Sequence, residues 1–382
     1  MNFDTMTQKD DKMSYKLGAV GFGHWFERLY AGMVRTNQIS LAKIAGVSNV
    51  ESKIDRLKSV GIGVDKYYRL DKEGPIPDNF FEDLDIVHIS DPNEYHAQQT
   101  IQSLEKGKIT ITEKTFGVNK NEFYSVVSYI KKNNLENMAY LHLHYLHKLL
   151  TVELLDLIKN FGKEHGKIIG VSATFFEASR EEDLRRSSWL FDMKNGGLFM
   201  DWIHPFEILY RGTNASTITL NDVELYLMKK EYDNKNPSGI KASIKLKGEN
   251  FAGEVDGTIR IAKGADFDKK SVRFYLEDGV VLDLAYMSSD REASTGMRGC
   301  WSLSKNNIDI ESNCPRGPDT SEFFVNDILN MVTGKSVGFG IEYMEKLFEP
   351  QWQYQDMYKK KELIEDNENI SNFSTDAKQM NI

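Results

Sequence analysis

The sequence lacks the features by which membrane proteins and nucleic-acid-binding proteins are recognised. No run of apolar residues approaches the roughly 18 that a membrane-spanning helix needs. Basic residues number 48 against 57 acidic ones, which gives a net charge of −9, and they form no block. Electrostatic attraction therefore gives no support to nucleic acid or to an anionic membrane surface as a partner.

Cysteine is scarce as well. The two cysteines of the chain, Cys300 and Cys314, are too few for a framework of disulfides, and a reducing cytoplasm is the simplest setting for them. Residues 1–14 are polar and lack the apolar core of a secretion signal. We expect a mobile leader there, a mobile polar tail over residues 366–382, and a cytoplasmic protein.

The length and the apolar pattern predict two domains. A chain of 382 residues is too long for one ordinary core, and 40% apolar with 27% charged residues suits a globular protein. Over residues 15–147, apolar strands alternate with helices, which predicts a doubly wound parallel sheet. Over residues 148–365 the strands alternate in polarity, as in Ile240–Leu246, which predicts an α+β domain with a large, mostly antiparallel open sheet.

A strand, a glycine turn and a helix open the first predicted domain. The apolar run Leu17–Val20 meets Gly21-Phe22-Gly23, and a helical pattern follows. Gly21 permits a tight turn, Gly23 leaves room for a pyrophosphate, and the helix would offer unpaired N–H groups to phosphate. The third glycine of the usual motif is replaced by Phe26. The motif alone leaves both dinucleotide binding and a plain tight turn open.

The end of the second strand bears on the choice of dinucleotide. An NAD site usually has Asp or Glu there to bind the ribose 2′-hydroxyl. This chain has Ser48 and Asn49, with Lys53 and Arg56 close behind. Neutral residues near cations tolerate a 2′-phosphate, which favours NADP. If Glu51 supplies the carboxylate, NAD is the cofactor instead.

Later strands of the same domain also end on polar residues. Because ligands of parallel sheets bind at the carboxyl ends of strands, these residues are candidates for the site. His96, in the first turn of the helix between two such strands, either contacts a bound cofactor or caps and packs that helix. The residues at the strand ends are Ser90, Asp91, Pro92 and Asn93, and then Glu113 and Lys114.

Three histidines follow at close spacing, at positions 142, 144 and 147. Their closeness invites a metal site. Yet His142 and His144 share one face of a strand predicted over residues 138–145, His147 lies past it, and no carboxylate or thiolate completes the shell. We therefore predict no metal, and a polar lining for a cleft.

The second domain contains one informative stretch, which opens with Asn195-Gly196-Gly197. Asp201 and His204 are three residues apart, so they share one face of the helix predicted over residues 196–210. A carboxylate beside a histidine can orient the ring and stabilise its protonated form, as a general base requires. The alternative is a capped helix with a structural histidine.

Taken in this order, the motifs resemble those of the glucose–fructose oxidoreductase/inositol dehydrogenase (Gfo/Idh/MocA) family of nicotinamide-dependent sugar and polyol oxidoreductases. The resemblance runs from about residue 16 to residue 211 and is looser beyond. The chain departs from the family pattern at four points. These are Phe26 for Gly or Ala, Asn49 for Asp, Thr115 for a proline whose preceding peptide bond is typically cis, and the spacing of Asp201 and His204, which is three rather than four.

The resemblance implies roles for these residues. His204 would take a proton from a substrate hydroxyl as hydride leaves the same carbon, Lys114 would hydrogen-bond that oxygen, and Asp201 would orient the site or bind a neighbouring hydroxyl. The residues expected to bind NADP, or NAD, are Gly21, Phe22, Gly23, His24, Trp25, Ser48, Asn49, Ser90, Asp91, Pro92, Asn93, His96, Glu113 and Lys114. Those expected to line the sugar pocket are His142, His144, Tyr145 and Trp189.

The sequence therefore predicts an NAD(P)-dependent oxidoreductase acting on the CH–OH group of a sugar, polyol or sugar derivative. The resemblance also implies a homodimer or homotetramer formed through the antiparallel sheet. Arg180, Arg185 and Arg186 either recognise an acidic or phosphorylated substrate or belong to a solvated loop. A non-catalytic dinucleotide-binding regulator with the same fold is the alternative, and hydride chemistry on a ring imine or enone is a third possibility.

Overall fold

The structure is a computed structural model. It describes residues 15–21, 38–47, 54–55, 57–58, 63–70, 75–178, 198, 201–227, 237–265, 267–287, 295–318, 320–335, 340–358, 360–365, 370 and 372–373. The chain forms two compact units. The first comprises Met1–Phe116, Ser125–His142 and Val325–Val337, and the second comprises Gly117–Tyr124, Leu143–Phe324 and Gly338–Ile382.

The first unit is built on a parallel sheet of six strands. The central strands are rich in apolar residues because the sheet is buried on both faces there; all four residues of the fourth strand, for example, are buried. The order β3-β2-β1-β4-β5-β6 is that of a dinucleotide-binding fold, which confirms the predicted doubly wound sheet. The strands are β1 Tyr15–Val20, β2 Ile39–Gly46, β3 Lys66–Arg69, β4 Ile86–Ile89, β5 Ile109–Glu113 and β6 Ala139–His142.

The second unit is built on a nine-stranded sheet in the order β14-β13-β12-β11-β7-β10-β9-β8-β15. Its neighbouring strands are antiparallel except β7–β10 and β8–β15, which confirms the predicted mostly antiparallel sheet. The strands are β7 Ile168–Ala178, β8 Ala215–Tyr226, β9 Gly239–Gly248, β10 Phe251–Ala265, β11 Lys269–Leu276, β12 Val280–Ala285, β13 Cys300–Lys305, β14 Ile308–Asn313 and β15 Leu363–Ile364.

The α-helices with defined bounds are α1 His96–Glu105, α2 Lys120–Asn133, α3 Leu149–His165, α4 Ile203–Thr213, α5 Thr320–Val332 and α6 Ile341–Tyr358. Within the second unit, α3 and α6 both pack against α4, and α6 also packs against β8. The alternation predicted for Ile240–Leu246 is present, since its apolar side chains are buried. In the described part of the chain, no helix is both long and apolar enough to cross a bilayer.

Several predicted boundaries differ from the structure. The strand expected over residues 138–145 ends at His142, and residues 144–147 form a 3-10 helix. The helix expected from residue 196 has its defined start at Ile203. The segment Ser125–His142 of the first unit ends before the predicted domain boundary at residue 147. The first unit also includes Val325–Val337, which was predicted in the second domain.

Two further features were not predicted from the sequence. Cys300 and Cys314 form a disulfide that ties the ends of β13 and β14 together. Phe373, inside the predicted mobile tail, is 2% exposed and packs against Phe176 and Tyr226, with ring centroids 5.2 and 4.4 Å away. The burial of Phe373 could not be predicted from the residues next to it in the sequence, because that segment is largely polar.

Candidate active site

Gly21 lies at the carboxyl end of β1, next to the end of β4. Gly21 has φ of 79°, and a Cβ atom there would lie 2.4 Å from the backbone nitrogen of Asp91. Ser90 fixes this approach, because its N–H donates to Val20 O at 2.7 Å and its hydroxyl to Gly21 O at 3.0 Å. Gly21 is therefore required both by its left-handed conformation and by the backbone against it.

His96 joins two of the strand ends predicted to bind the cofactor. The ring is 1% exposed, with Nδ1 lying 2.8 Å from Thr115 O and Nε2 lying 2.8 Å from Asp91 O. Asp91 is held in turn by Gln99, whose amide donates to its carboxylate at 2.6 Å. The imidazole thus connects the segment after β4 to the segment after β5.

Glu113, the last residue of β5, lies between two histidines on the neighbouring strands. Its Oε1 is 3.1 Å from His88 Nε2 and 2.7 Å from His142 Nδ1. Burial favours the neutral acid, but the two imidazoles outweigh it and hold the pKa of Glu113 well below its usual range. Burial also lowers the pKa of His88. The Glu113 carboxylate therefore contacts two histidines within the first unit. His142 binds this carboxylate and does not share a strand face with His144, which lies in the 3-10 helix.

Lys114 follows this buried carboxylate directly. The side chain is half-buried, and the peptide bond between Lys114 and Thr115 is cis. The strand end that carries the predicted catalytic lysine is therefore anchored by the His88–Glu113–His142 group on one side and by the contact of His96 with Thr115 on the other.

The second unit contains a histidine held by a buried carboxylate. His204, the second residue of α4, is 6% exposed, and its Nδ1 lies 2.7 Å from Oε1 of Glu207, one turn along the helix. Glu207 is fully buried, and its Oε2 accepts hydrogen bonds from the N–H groups of Tyr145 at 2.8 Å and Leu146 at 3.2 Å. A carboxylate only accepts, so Nδ1 must donate, and the neutral ring keeps its lone pair on Nε2.

Local sequence explains why α4 presents the ring in this way. Pro205 lies in the first turn, where the missing N–H would have no helical partner in any case. The helix ends at Asn214, which adopts the left-handed conformation with φ of 53°. His204 and Glu207 are three residues apart, which places both side chains on one face.

The Nε2 edge of His204 faces a second carboxylate. Oδ1 of Asp201 lies 3.5 Å from Nε2, while Oδ2 lies 2.6 Å from Nζ of Lys263. The rings of His144 and Tyr145 lie against His204, with centroids 4.4 and 4.6 Å away. Burial raises the pKa of Tyr145, so the phenol stays protonated at neutral pH and does not compete with His204 as a base.

The structure brings some predicted site residues together within each unit. Gly21, Ser90, Asp91 and His96 meet in the first, while His144, Tyr145, Asp201 and His204 meet in the second. Among the described residues, no group of three or more His, Cys, Asp or Glu side chains is arranged to hold a metal ion. The predictions that lie outside the described residues are those for the leader over residues 1–14 and for Phe22, Gly23, His24, Trp25, Phe26, Ser48, Asn49, Glu51, Lys53, Arg56, Arg180, Arg185, Arg186, Trp189 and the Asn195–Gly197 turn.

Sequence reasoning missed three contributors. Glu207 had a usable signal, since it stands at helical spacing from His204. His88 and Lys263 had none, because His88 contacts Glu113 from a neighbouring strand and Lys263 contacts Asp201, a residue far from it in sequence.

No protein-family profile and no curated protein matches the chain. Solved structures do. The 3-ketoreductase KijD10 from Actinomadura kijaniata, in complex with NADP and TDP-benzene, aligns with a TM-score of 0.71 at 12% identity over 92% of this chain and 99% of that one. The UDP-N-acetylglucosamine 3-dehydrogenase GnnA from Acidithiobacillus ferrooxidans aligns with a TM-score of 0.63 at 13% identity, over 90% and 98%.

A probable dehydrogenase from Thermotoga maritima aligns with a TM-score of 0.65 at 16% identity, over 91% of this chain and 98% of that one. At such identities the likeness shows the fold alone. That fold is the one found in two-domain dehydrogenases. Each alignment covers nearly the whole of both chains.

Proposed function

We propose that this protein is an oxidoreductase that uses a nicotinamide dinucleotide to move hydride to or from a hydroxyl-bearing carbon of a sugar, polyol or sugar derivative. The observation that carries the proposal is the orientation of His204, with Nδ1 bonded to buried Glu207 and Nε2 left as the basic atom. A ring fixed in this way is prepared to act as a general acid or base.

The first unit suits the cofactor. Its strand order reverses between β1 and β4, and Gly21 lies at that point, where dinucleotides bind in such sheets. Gly21 and the segment Ser90–Asn93 would hold the dinucleotide, and a bound nicotinamide would supply the hydride acceptor or donor. NADP is the cofactor we propose, on the neutral residues Ser48 and Asn49 and on the NADP present with KijD10, and NAD is the alternative.

The proposed chemistry of the residues follows from the second unit. When an alcohol is oxidised, Nε2 of His204 takes the hydroxyl proton while the carbon gives up hydride, which leaves a carbonyl. The resulting imidazolium is stabilised by Glu207 at 2.7 Å. In the reverse direction the imidazolium returns the proton to the oxygen. The resemblance gives Lys114 the role of stabilising the charge that develops on this oxygen.

The substrate class rests on the same resemblance and on the structural neighbours. KijD10 is a 3-ketoreductase and GnnA a UDP-N-acetylglucosamine 3-dehydrogenase, so this fold serves a ketoreductase in the first and a dehydrogenase of a nucleotide sugar in the second. We extend the proposal to self-association through the nine-stranded sheet as a homodimer or homotetramer.

A two-stage experiment tests this function. NADPH and NADH are first titrated against the protein by fluorescence, and a panel of sugars, polyols and nucleotide sugars is then assayed by nicotinamide absorbance. We expect binding of at least one dinucleotide below millimolar concentration and turnover of at least one compound. If neither dinucleotide binds, the oxidoreductase is refuted. Binding without turnover of any panel member favours the non-catalytic regulator.

A further inference from the structure

A line of alternating charges starts at Asp201, three residues before His204. Asp201 Oδ2 is 2.6 Å from Lys263 Nζ, which is 3.4 Å from Glu177 Oε2, and Oε1 of Glu177 is 2.8 Å from Lys270 Nζ. The sheet sets this order, since Lys263 pairs directly with Glu177 in the β10–β7 register and Lys270 lies on β11, the other neighbour of β7. With His204, all four groups line one small cavity of the second unit.

The inner members of this line stay charged over the pH range in which a histidine titrates. Lys263 and Lys270 lower the pKa of Glu177 to about 2, although burial acts in the opposite direction. Burial alone would lower the pKa of Lys263, but the carboxylates of Asp201 and Glu177 outweigh it and raise the pKa. Neither residue exchanges protons near neutrality, so they act as fixed charges and not as a proton relay.

The two carboxylates that face His204 are compensated in different ways. Glu207 is held by the N–H groups of Tyr145 and Leu146, which leave its charge in place for the imidazolium. Asp201 is held by an ammonium group at 2.6 Å, closer than the 3.5 Å to Nε2. A carboxylate that shares its charge with an adjacent cation attracts a proton on a neighbouring imidazole much less than a bare one does.

We propose that Lys263 is a positioning residue for the reaction, which holds the Asp201 carboxylate off Nε2 of His204 and offsets the charge of that carboxylate. This inference rests on the proposed function. The groups that face His204 are Glu207 on its own helix, Asp201 in the preceding turn, His144 and Tyr145 on the 3-10 helix, and Glu177, Lys263 and Lys270 on the strands.

Removing one charge of the pair at a time should move the titration of His204 in opposite directions. In Lys263→Met, the charge of Asp201 is no longer offset by this ammonium group and stabilises the imidazolium more strongly, so the ring should be protonated up to a higher pH and activity on the acid side should fall. In Asp201→Asn, the remaining ammonium disfavours the imidazolium, and the titration moves to lower pH. Opposite charges within 4–6 Å shift a titration by about one pH unit or more.

The experiment records the histidine titration by NMR in the full chain labelled with ¹⁵N-histidine, with the His204 signal assigned by its loss in His204→Asn. We expect the midpoint of the His204 titration to rise by about one pH unit in Lys263→Met and to fall in Asp201→Asn. In the double variant and in Lys263→Arg, the midpoint should lie near that of the wild type. The acid limb of the kcat/KM profile should move with the NMR midpoint, which a merely structural role of Lys263 would not produce.

Circular dichroism melting establishes whether each variant is folded. If Lys263→Met does not fold, the titration of Asp201→Asn still tests the proposal. An unshifted His204 titration in a folded Lys263→Met variant, or a rise instead of a fall in Asp201→Asn, would overturn the proposal. Because the NMR titration needs no turnover, shifted titrations in a protein that turns over no sugar count against the proposed function instead.

Discussion

Replacing Glu207 with glutamine tests whether the buried carboxylate prepares His204 for catalysis. The carboxylate accepts three hydrogen bonds, at 2.7 Å from Nδ1 of His204 and at 2.8 and 3.2 Å from the N–H groups of Tyr145 and Leu146. Glutamine has the same shape but only one accepting oxygen. If that oxygen stays on the backbone N–H groups, the amide N–H₂ faces Nδ1 and forces the ring proton onto Nε2, the atom that must accept a proton.

The expected loss can be worked out from these contacts. A hydrogen bond to a charged group contributes about 1.5–3 kcal/mol, which corresponds to roughly 10–10² in rate when it is made to the imidazolium. The wrong tautomer adds a further penalty, because the productive form must first be regenerated. We therefore expect Glu207→Gln to lower turnover by about 10²–10³-fold. Dinucleotide affinity should stay near that of the wild type.

The assay is steady-state turnover of the best panel substrate, with dinucleotide affinity measured separately by fluorescence. Glu342→Gln is the matched control, since it makes the same change at an exposed position of α6 in the same unit. It should leave turnover unchanged. If folded Glu207→Gln retains turnover within about threefold, the bond from Nδ1 to Glu207 is not what prepares the base.

We make five further predictions from the structure and from the family resemblance. His204→Ala should lower turnover by about 10²–10⁴-fold and abolish the acid limb of the pH–rate profile, whereas Lys114→Ala should lower it by about 10²–10³-fold at every pH. Gly21→Ala should lower the Tm, because its Cβ would lie 2.4 Å from the backbone nitrogen of Asp91; an unchanged melting curve would contradict this. Glu177, whose pKa is lowered from 4.5 to about 2, should stabilise the fold above about pH 4.5 and lose this contribution as the pH falls towards 2. Urea unfolding should therefore show the gap between wild type and Glu177→Gln closing on acidification. Light scattering at micromolar concentration should give a dimer or tetramer, and a monomer mass would reject assembly through the large sheet.

Local patterns in the sequence were sufficient to predict which sheet is parallel and which is mostly antiparallel. Buried runs such as Ile86–Ile89 alternate with helices, and the two periodicities of the chain separate a parallel sheet from a mostly antiparallel one. Strands without such a pattern were missed. Lys66–Arg69 is short and contains no aliphatic side chain. Ile308–Asn313, whose six residues are all exposed, has only Ile308 and Ile310 as apolar residues, which is too short a pattern to predict a strand.

The candidate site shows the same division between local and distant information. Asp201 and His204 were found because they are close in sequence, and Gly21 because a strand leads into it. The partner of Asp201 is Lys263, a residue 62 positions away that only the strand order brings to it. The contacts of His88 and His142 with Oε1 of Glu113, made from the two flanking strands, were not predicted either. Pairings of this kind depend on the sheet as a whole and leave no trace in a short motif.

The most direct test of the proposed function follows a hydride from the cofactor to the substrate. The protein is incubated with NADPH or NADH deuterated at C4, each hydrogen position labelled in turn, and with keto derivatives of the panel sugars. We predict that mass spectrometry finds one deuterium on the new hydroxyl-bearing carbon of a product from one of the two labelled positions, and that His204→Ala suppresses its formation. Dinucleotide binding without deuterium in any product would contradict the proposed oxidoreductase.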